Sequence, residues 1–286
     1  MGFVLFAVAF VALLTVLVRV RRLRVRGEIG DGAAYGLTVG FVAFLVGAWW
    51  FVTSGATPED RLVNRLIIPS PTEVLAAFPT LHFEQALVRG TLTSWLRVTE
   101  GFALAAFVAI PLGVYMASFS SVSAVFRPLA LIGSYVPIVC MMPLTFAWWG
   151  LTEMQKVGFL FVASFVALLP LVIKSIEDVA SPYLDVAVTK GATQWQLVRH
   201  VLVPVAAADI WDHMRGIYGV GWGWIVLTEM TNSEQGLGHL IDVSNRRSHQ
   251  DAIYAVIIVI VLVGLVCDRL WRLGGVILFP YRRRSA

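Results

Sequence analysis

The chain has 286 residues, of which 58% are hydrophobic and 14% charged, with a formal net charge of +4. Its mean hydropathy of +0.78 and its shortage of charge exclude an ordinary soluble domain, in which about a quarter of residues are charged. The small basic excess points to membrane topology and contact with anionic lipid and gives no reason to expect nucleic-acid binding.

Charge-poor apolar runs close to the roughly 20 residues that cross a bilayer as a helix recur at 2–18, 33–54, 96–118, 128–150, 157–173, 205–228 and 252–267. Helices satisfy their own backbone in lipid, so a helical bundle is the expected solution. The alternating pattern of a membrane barrel is absent.

Residues 1–60 hold two of these runs. Arg19, Arg21, Arg22, Arg24 and Arg26 follow the first run, whereas a cleavable signal peptide carries its basic residues before it. The positive-inside rule places this cluster in the cytoplasm and the N-terminus outside. Alternation through seven spans then also places 177–204 and the basic tail (273–286, with Arg282, Arg283 and Arg284) inside. Gly36, Gly40 and Gly47 in the second run either allow a close helix approach or reflect the ordinary frequency of glycine in lipid-facing helices.

Residues 61–90 are predicted external. Ser70-Pro71 followed by Glu73 is a helix start signal, and 72–79 is expected to form a short helix at the outer surface. In the following span Arg97 and Glu100 stand i, i+3 and can pair; otherwise Arg97 anchors in the headgroups. Pro111 is expected to kink this span, and Gly113 to admit a close neighbour. Arg127-Pro128 is read as the start of the next span, which contains Pro137 and Pro143. Irregular backbone at such depth is tolerated only against protein or a water-filled path. Trp148 and Trp149 close the span, either as an interface belt or as a substrate gate.

Residues 177–204 form the longest markedly polar interval between two apolar regions. They read as two short helices broken at Gly191. Ser181 is the expected N-cap with Pro182 at the first helical position. Asp185 falls where the helix dipole favours it, and Gly191 can take the left-handed conformation that ends a helix. Trp195, Leu197, Val198, Val201 and Leu202 then form an apolar stripe beside Thr193, Gln194, Gln196, Arg199 and His200. Pro204 marks the start of the next span. An ordered amphipathic elbow of this kind should dock onto something.

The run at 205–228 carries Asp209, Asp212, His213 and Arg215 in its first half, and Asp212 and Arg215 stand i, i+3. Charges there either sit near the cytoplasmic interface or face the bundle. Gly219, Gly221 and Gly223 interleave with Trp222 and Trp224, whose rings serve either the path or core packing. Glu229, at the predicted outer end, is either a surface carboxylate or part of an outer gate. The basic stretch 245–249 is predicted external and could favour protein docking or anion access. Cys140 and Cys267 both fall in apolar runs and are expected to be buried, unpaired thiols. With no G-x-x-x-x-G-K-[ST] sequence, no H-E-x-x-H sequence and scattered histidines, the chain is expected to bind no ATP or metal itself and to contain no catalytic residues.

Asp185-Val186-Ala187, three residues, Gly191, nine residues and Val201-Leu202-Val203-Pro204 resemble the EAA loop of ABC-importer permeases: Glu-Ala-Ala, three residues, Gly, nine residues, Ile-x-Leu-Pro. Four more stretches resemble the nitrate/sulfonate/taurine/bicarbonate branch of that family. They are Ile67-Ile68-Pro69-Ser70-Pro71 through Val74; Leu96-Arg97-Val98 through Phe102 with Ile110-Pro111-Leu112-Gly113; Pro137-Ile138, Pro143-Leu144 and Trp148-Trp149-Gly150; and Glu229-Met230 with Gly236-Leu237-Gly238 through Ile241.

The resemblance implies an all-α, polytopic transmembrane helical bundle of about seven spans. Its permease core (91–272) would be of the type I importer, MetI-like kind, with two additional N-terminal spans. It further implies a bacterial inner-membrane protein that forms a homodimer on two cytoplasmic ATPase subunits, which bind ATP and Mg, and that is fed by an external solute-binding protein. The substrate would be a small anion such as nitrate, bicarbonate or a sulfonate. The coupling residues would be Asp185, Ala187, Gly191, Ala192, Trp195, Val201 and Pro204. Pro137, Pro143, Trp149, Arg215, Trp222, Trp224 and Glu229 are the candidates for the translocation path. An ion-coupled secondary transporter is the alternative; it predicts a deep ionisable residue and two repeated halves, and no repeat is found. A membrane scaffold without transport is a third reading, and it would not need a path.

Overall fold

The computed structural model describes residues 30–55 and 61–281. The run at 2–18, the arginines between 19 and 26 and the final arginines lie outside the described residues. Every regular element among the described residues is helical. The chain divides into two compact units, Met1–Glu84 with Ser244–Ala255, and Gln85–Val243 with Val256–Ala286.

In the first unit, α1 (Asp31–Thr53) is apolar on all sides, and nearly all of its large side chains are exposed. Among the described residues nothing comes within 4 Å of a Cβ at Gly36, Gly40 or Gly47. The helix is tied down at its end. Trp49 Nε1 donates to the Pro69 carbonyl at 2.9 Å, and its ring stacks on Tyr254 at 6.2 Å. Helix α2 (Pro71–Phe83) starts where the sequence signal lies: Ser70 accepts from the Glu73 backbone N–H while the Glu73 carboxylate accepts from that of Ser70. This reciprocal cap satisfies two donors that a helix start otherwise leaves free. The helix runs on through Pro79 and ends at Phe83.

Glu73 also takes Arg61 at 3.2 Å and Arg65 at 3.3 Å. Burial by itself would raise its carboxyl. The hydrogen bonds from Arg61 and Ser70, with the Arg61 charge, together outweigh burial and hold it at about 2 instead of 4.5. A depressed carboxyl contributes stability that is fully present above its ordinary value and is lost as pH falls. Glu73→Gln is therefore expected to cost about 1 kcal/mol at neutral pH. The difference in thermal midpoint from the native chain should shrink between pH 4.5 and about 2.

The second unit contains α3 (Leu87–Ser118), α4 (Ser120–Tyr135), a 3-10 turn (Ile138–Met141), α5 (Met142–Trp149), α6 (Glu153–Glu177), α7 (Ser181–Thr189), α8 (Gln194–Leu197), a π turn (Val198–Leu202) and α9 (Val203–Thr231). Helices α10 (Leu237–Arg246) and α11 (Gln250–Leu278) each run from one unit into the other. The core is three helices: α6 packs along α3, and α9 packs against both. Gly101, Ala105, Ala109 and Gly113 make a buried small-residue stripe on α3 at i, i+4 spacing. This stripe lets α6 approach closely with Phe159, Leu160, Ala163, Leu168 and Val172 buried.

Among the described residues four helices, α1, α3, α6 and α11, are long and apolar enough to cross a membrane, or five if α4 and α5 count as one span bent by 99°. The run expected at 128–150 is thus not one continuous helix. Its helix starts at Ser120, keeps Pro128 inside and stops at Tyr135. Pro137 forces the residue before it into extended backbone, and Val136 is extended at φ −77°, ψ 118°. Pro143 falls in the first turn of α5, where its missing N–H costs nothing. Cys140 lies in the turn between them and is exposed, contrary to expectation, while Cys267 is buried.

Candidate functional site

The elbow between α6 and α9 is built by local chemistry at each end of two short helices. Helix α7 opens with Ala180 as N-cap and Ser181 as its first residue, one place later in role than the sequence suggests. Tyr183 N donates to the Ala180 carbonyl at 3.2 Å, so the turn closes before the serine hydroxyl is needed. The helix ends as expected: Gly191 has φ +82°, its N–H donates to the Val188 carbonyl at 2.8 Å, and Ala192 N donates to that of Ala187 at 3.1 Å. This paired Schellman closure requires a left-handed residue, for which glycine carries no penalty. Helix α8 then opens with a capping box between Thr193 and Gln196. Its Thr-x-x-Gln signal is present in the sequence. The π turn that follows, which contains Val201, runs without interruption into α9, with Pro204 in the first turn. Asp185, Gly191 and Trp195 are exposed, and Ala187, Ala192 and Val201 are half-buried. Tyr183, Val186 and Val188 add exposed apolar surface to α7. Trp195 stacks on Tyr115 at 6.1 Å, which ties α8 to the end of α3.

The structure distributes the path candidates unevenly. Pro137 and Pro143 are exposed at the α4–α5 bend. Trp149 is half-buried with its ring against Gly158, where an added Cβ would lie 2.6 Å from the indole. Trp222 is buried, with its ring N–H unpartnered, while Trp224 is half-buried. Arg215 pairs with Asp212 at 4.0 Å, as expected, and more closely with Asp268 at 3.1 Å, a partner from α11 that sequence spacing does not reveal.

Glu229 is the centre of a buried charge cluster. Its carboxylate accepts from Ser94 Oγ at 2.8 Å, Arg97 Nη1 at 2.7 Å and Gly238 N at 2.9 Å. Leu237 N donates in turn to Ser94 Oγ at 2.9 Å. A serine from α3 and a carboxylate from α9 thus satisfy the first N–H groups of α10. The local backbone explains the Gly-Leu-Gly sequence. Gly236 has φ +123°, and a Cβ on Gly238 would lie 2.6 Å from the Val226 carbonyl. The reading of Glu229 as a surface carboxylate is therefore excluded.

Arg97 does not turn to Glu100, which is exposed. Its Nε and Nη2 hold Glu153 at 2.7 and 2.8 Å, and Nη1 also reaches the Gln235 carbonyl at 2.8 Å. Lys156 donates to Glu153 at 3.1 Å. Ser94, Arg97, Glu153, Lys156 and Glu229 come from three helices; only Glu153 and Lys156 pair at i, i+3, and no local spacing rule joins one helix's members to another's. A cleft of about 370 Å³ lies beside them, between α3, the start of α6 and the turn after α9. The described residues contain no group of three or more histidine, cysteine or acidic side chains able to hold a metal ion.

Residues 109–273 match the binding-protein-dependent transport system inner membrane component family. The chain belongs to this family. A putative ABC transporter permease protein of Methanocaldococcus jannaschii is 34% identical over 211 residues, covering 73% of this chain and 76% of that one. The taurine transport system permease protein of Escherichia coli is 25% identical over 237 residues, covering 81% and 84%. The fold is shared with a chain of the MetNI methionine ABC transporter in an inward-facing conformation, at a TM-score of 0.56 and 18% identity, covering 68% of this chain and 97% of that one. The inner-membrane component described here is therefore a multi-pass, all-helical permease subunit of an ABC importer for small solutes.

Proposed function

We propose that two copies of this permease form a path for a small anion of the sulfonate, nitrate or bicarbonate class. An external solute-binding protein delivers the anion, and a separate cytoplasmic ATPase, which binds ATP and Mg, drives its passage. The elbow carries the coupling part of this reading. It is rigidly closed at Gly191, capped at Thr193, rich in exposed apolar side chains, and continuous with α9. A displacement of α7 and α8 by a docked partner is delivered straight into α9, which serves as a further span although its charges dilute its apolar character. Either state of the bundle is then favoured by differential contacts at the elbow. Pro137, Pro143, Arg215 and Trp224 are the wall candidates that remain accessible, whereas Trp149 and Trp222 serve packing and Glu229 serves the buried charge cluster. The anion class is supported by the taurine permease among the relatives. Ion-coupled secondary transport is not favoured for a member of this family.

The test is copurification with the cognate ATPase from detergent, followed by ATP-driven taurine uptake in proteoliposomes. Proline cannot adopt φ +82°, so Gly191→Pro opens the elbow; Asp185→Arg reverses a charge on its exposed side. Both variants should remain in the membrane, lose ATPase association and lose at least about tenfold in uptake, roughly 1.4 kcal/mol of coupling. Retention of the ATPase by both variants would remove the elbow from the docking surface.

A further inference from the structure

The charge cluster has one replaceable member. The side chains of Arg97, Lys156 and Glu229 are 6%, 4% and 0% exposed, whereas that of Glu153 is 66% exposed. We propose that the cleft beside Glu153 is a binding site for a small carboxylate or sulfonate, which takes the place of Glu153 on Arg97 and Lys156.

The exposed Glu153 carboxylate can exchange its ion pairs for water and swing outward. The two cations cannot follow it. With Glu153 gone, Arg97 would keep Glu229 while Lys156 would lose its ion pair, and uncompensated buried charge is strongly disfavoured. The site therefore requires an anion, and an incoming one can supply it. The chemistry is specific. Arg97 presents Nε and Nη2 as a fork that meets the two Glu153 oxygens at 2.7 and 2.8 Å, a geometry matched by a carboxylate or by two oxygens of a sulfonate. Lys156 Nζ reaches one of those oxygens at 3.1 Å, and an ammonium has two further N–H groups to offer. The adjoining cleft of about 370 Å³ has room for a molecule of a few heavy atoms, and Asn232 and Ser233 extend its polar wall.

The site stands apart from the elbow. Glu153 opens α6, a helix of 25 residues, and the elbow follows its other end, about 36 Å away. An anion held here is positioned on the membrane face opposite the elbow. Only the ligand class rests on the proposed anion substrate; the site itself rests on the cluster.

The experiment uses the full-length permease in nanodiscs, native and Glu153→Ala, with melting followed in sodium acetate, sodium methanesulfonate or sodium chloride at equal ionic strength. Glu153→Ala should melt lower than the native chain. Acetate and methanesulfonate should restore it at concentrations at least tenfold below any that affect the native protein, and Glu153→Ala with Lys156→Met should lose this response. Equal recovery in chloride, or an unchanged response in the double variant, would overturn the site. Because binding is read without transport, a failure of the assembled importer to carry sulfonates would refute the proposed substrate and leave this result standing.

Discussion

Replacing Glu229 by alanine is expected to cost about 3–5 kcal/mol of stability, because one partner of a buried pair is removed and the other stays behind. Arg97 cannot move to water: its side chain is 6% exposed and is held by Glu153, Gln235 and Ser233. The alanine would also strip acceptors from Ser94 and from the Gly238 N–H, so the start of α10 would lose part of its cap. Glu229→Gln keeps one carbonyl oxygen and should cost less, since the cap can survive while the charge does not. Adding Arg97→Met to Glu229→Ala should recover part of the loss, because no buried charge then lacks its partner on α9. The double variant should show a coupling of about 1–3 kcal/mol, the range for residues that share one network. Urea unfolding in mild detergent of the native chain, Glu229→Ala, Arg97→Met, their double variant and Glu229→Gln, combined with the yield of monodisperse protein, measures these costs and the coupling. A loss near 1 kcal/mol for Glu229→Ala would mean that the pair contributes no more than an ordinary hydrogen bond.

The contrast between the elbow and this cluster shows what a single sequence makes legible. Helix ends are written in a few adjacent residues, so the break at Gly191, the start at Ser70-Pro71 and the two-helix form of 177–204 could be read directly. The same local rules misplace a cap by one residue at Ser181. They also treat Pro137 and Pro143 as disturbances within one span, when the first ends a helix and the second starts another. Arg97 shows the limit. Its sequence neighbour at i+3 is Glu100, but its partners Glu153 and Glu229 stand 56 and 132 positions away. They meet it only because α3, α6 and α9 pack together. The different burial of Trp222 and Trp224 has a local explanation. Residues two apart on a helix do not share a face, so the core that takes Trp222 at 3% exposure leaves Trp224 toward the surface.

The packing that assembles the cluster depends in turn on Gly101, and Gly101→Val should abolish the folded permease. A Cβ at this position would lie 2.5 Å from Leu160 Cβ, 2.9 Å from the Val157 carbonyl oxygen and 3.2 Å from Phe161 N. Two of these atoms are backbone, so no rotamer change in α6 can make room and the helices must separate. Even one added methyl group, in Gly101→Ala, is expected to cost about 3 kcal/mol, the upper end for an overpacked core. Gly264 supplies the control: a Cβ there meets nothing within 4 Å among the described residues. Its replacement by alanine should be neutral or stabilising by roughly 0.5–1 kcal/mol through helix propensity alone. Arg97 lies one helical turn from Gly101 on α3, and Glu153 and Lys156 lie at the end of α6 nearest to it. Separation of these helices would therefore pull the guanidinium away from its carboxylates as well as opening the apolar contact. Folded yield by size exclusion, measured for Gly101→Val, Gly101→Ala and Gly264→Ala together, tests this. Similar yields for all three would mean that α3 and α6 do not meet at the distance that holds the charge cluster together.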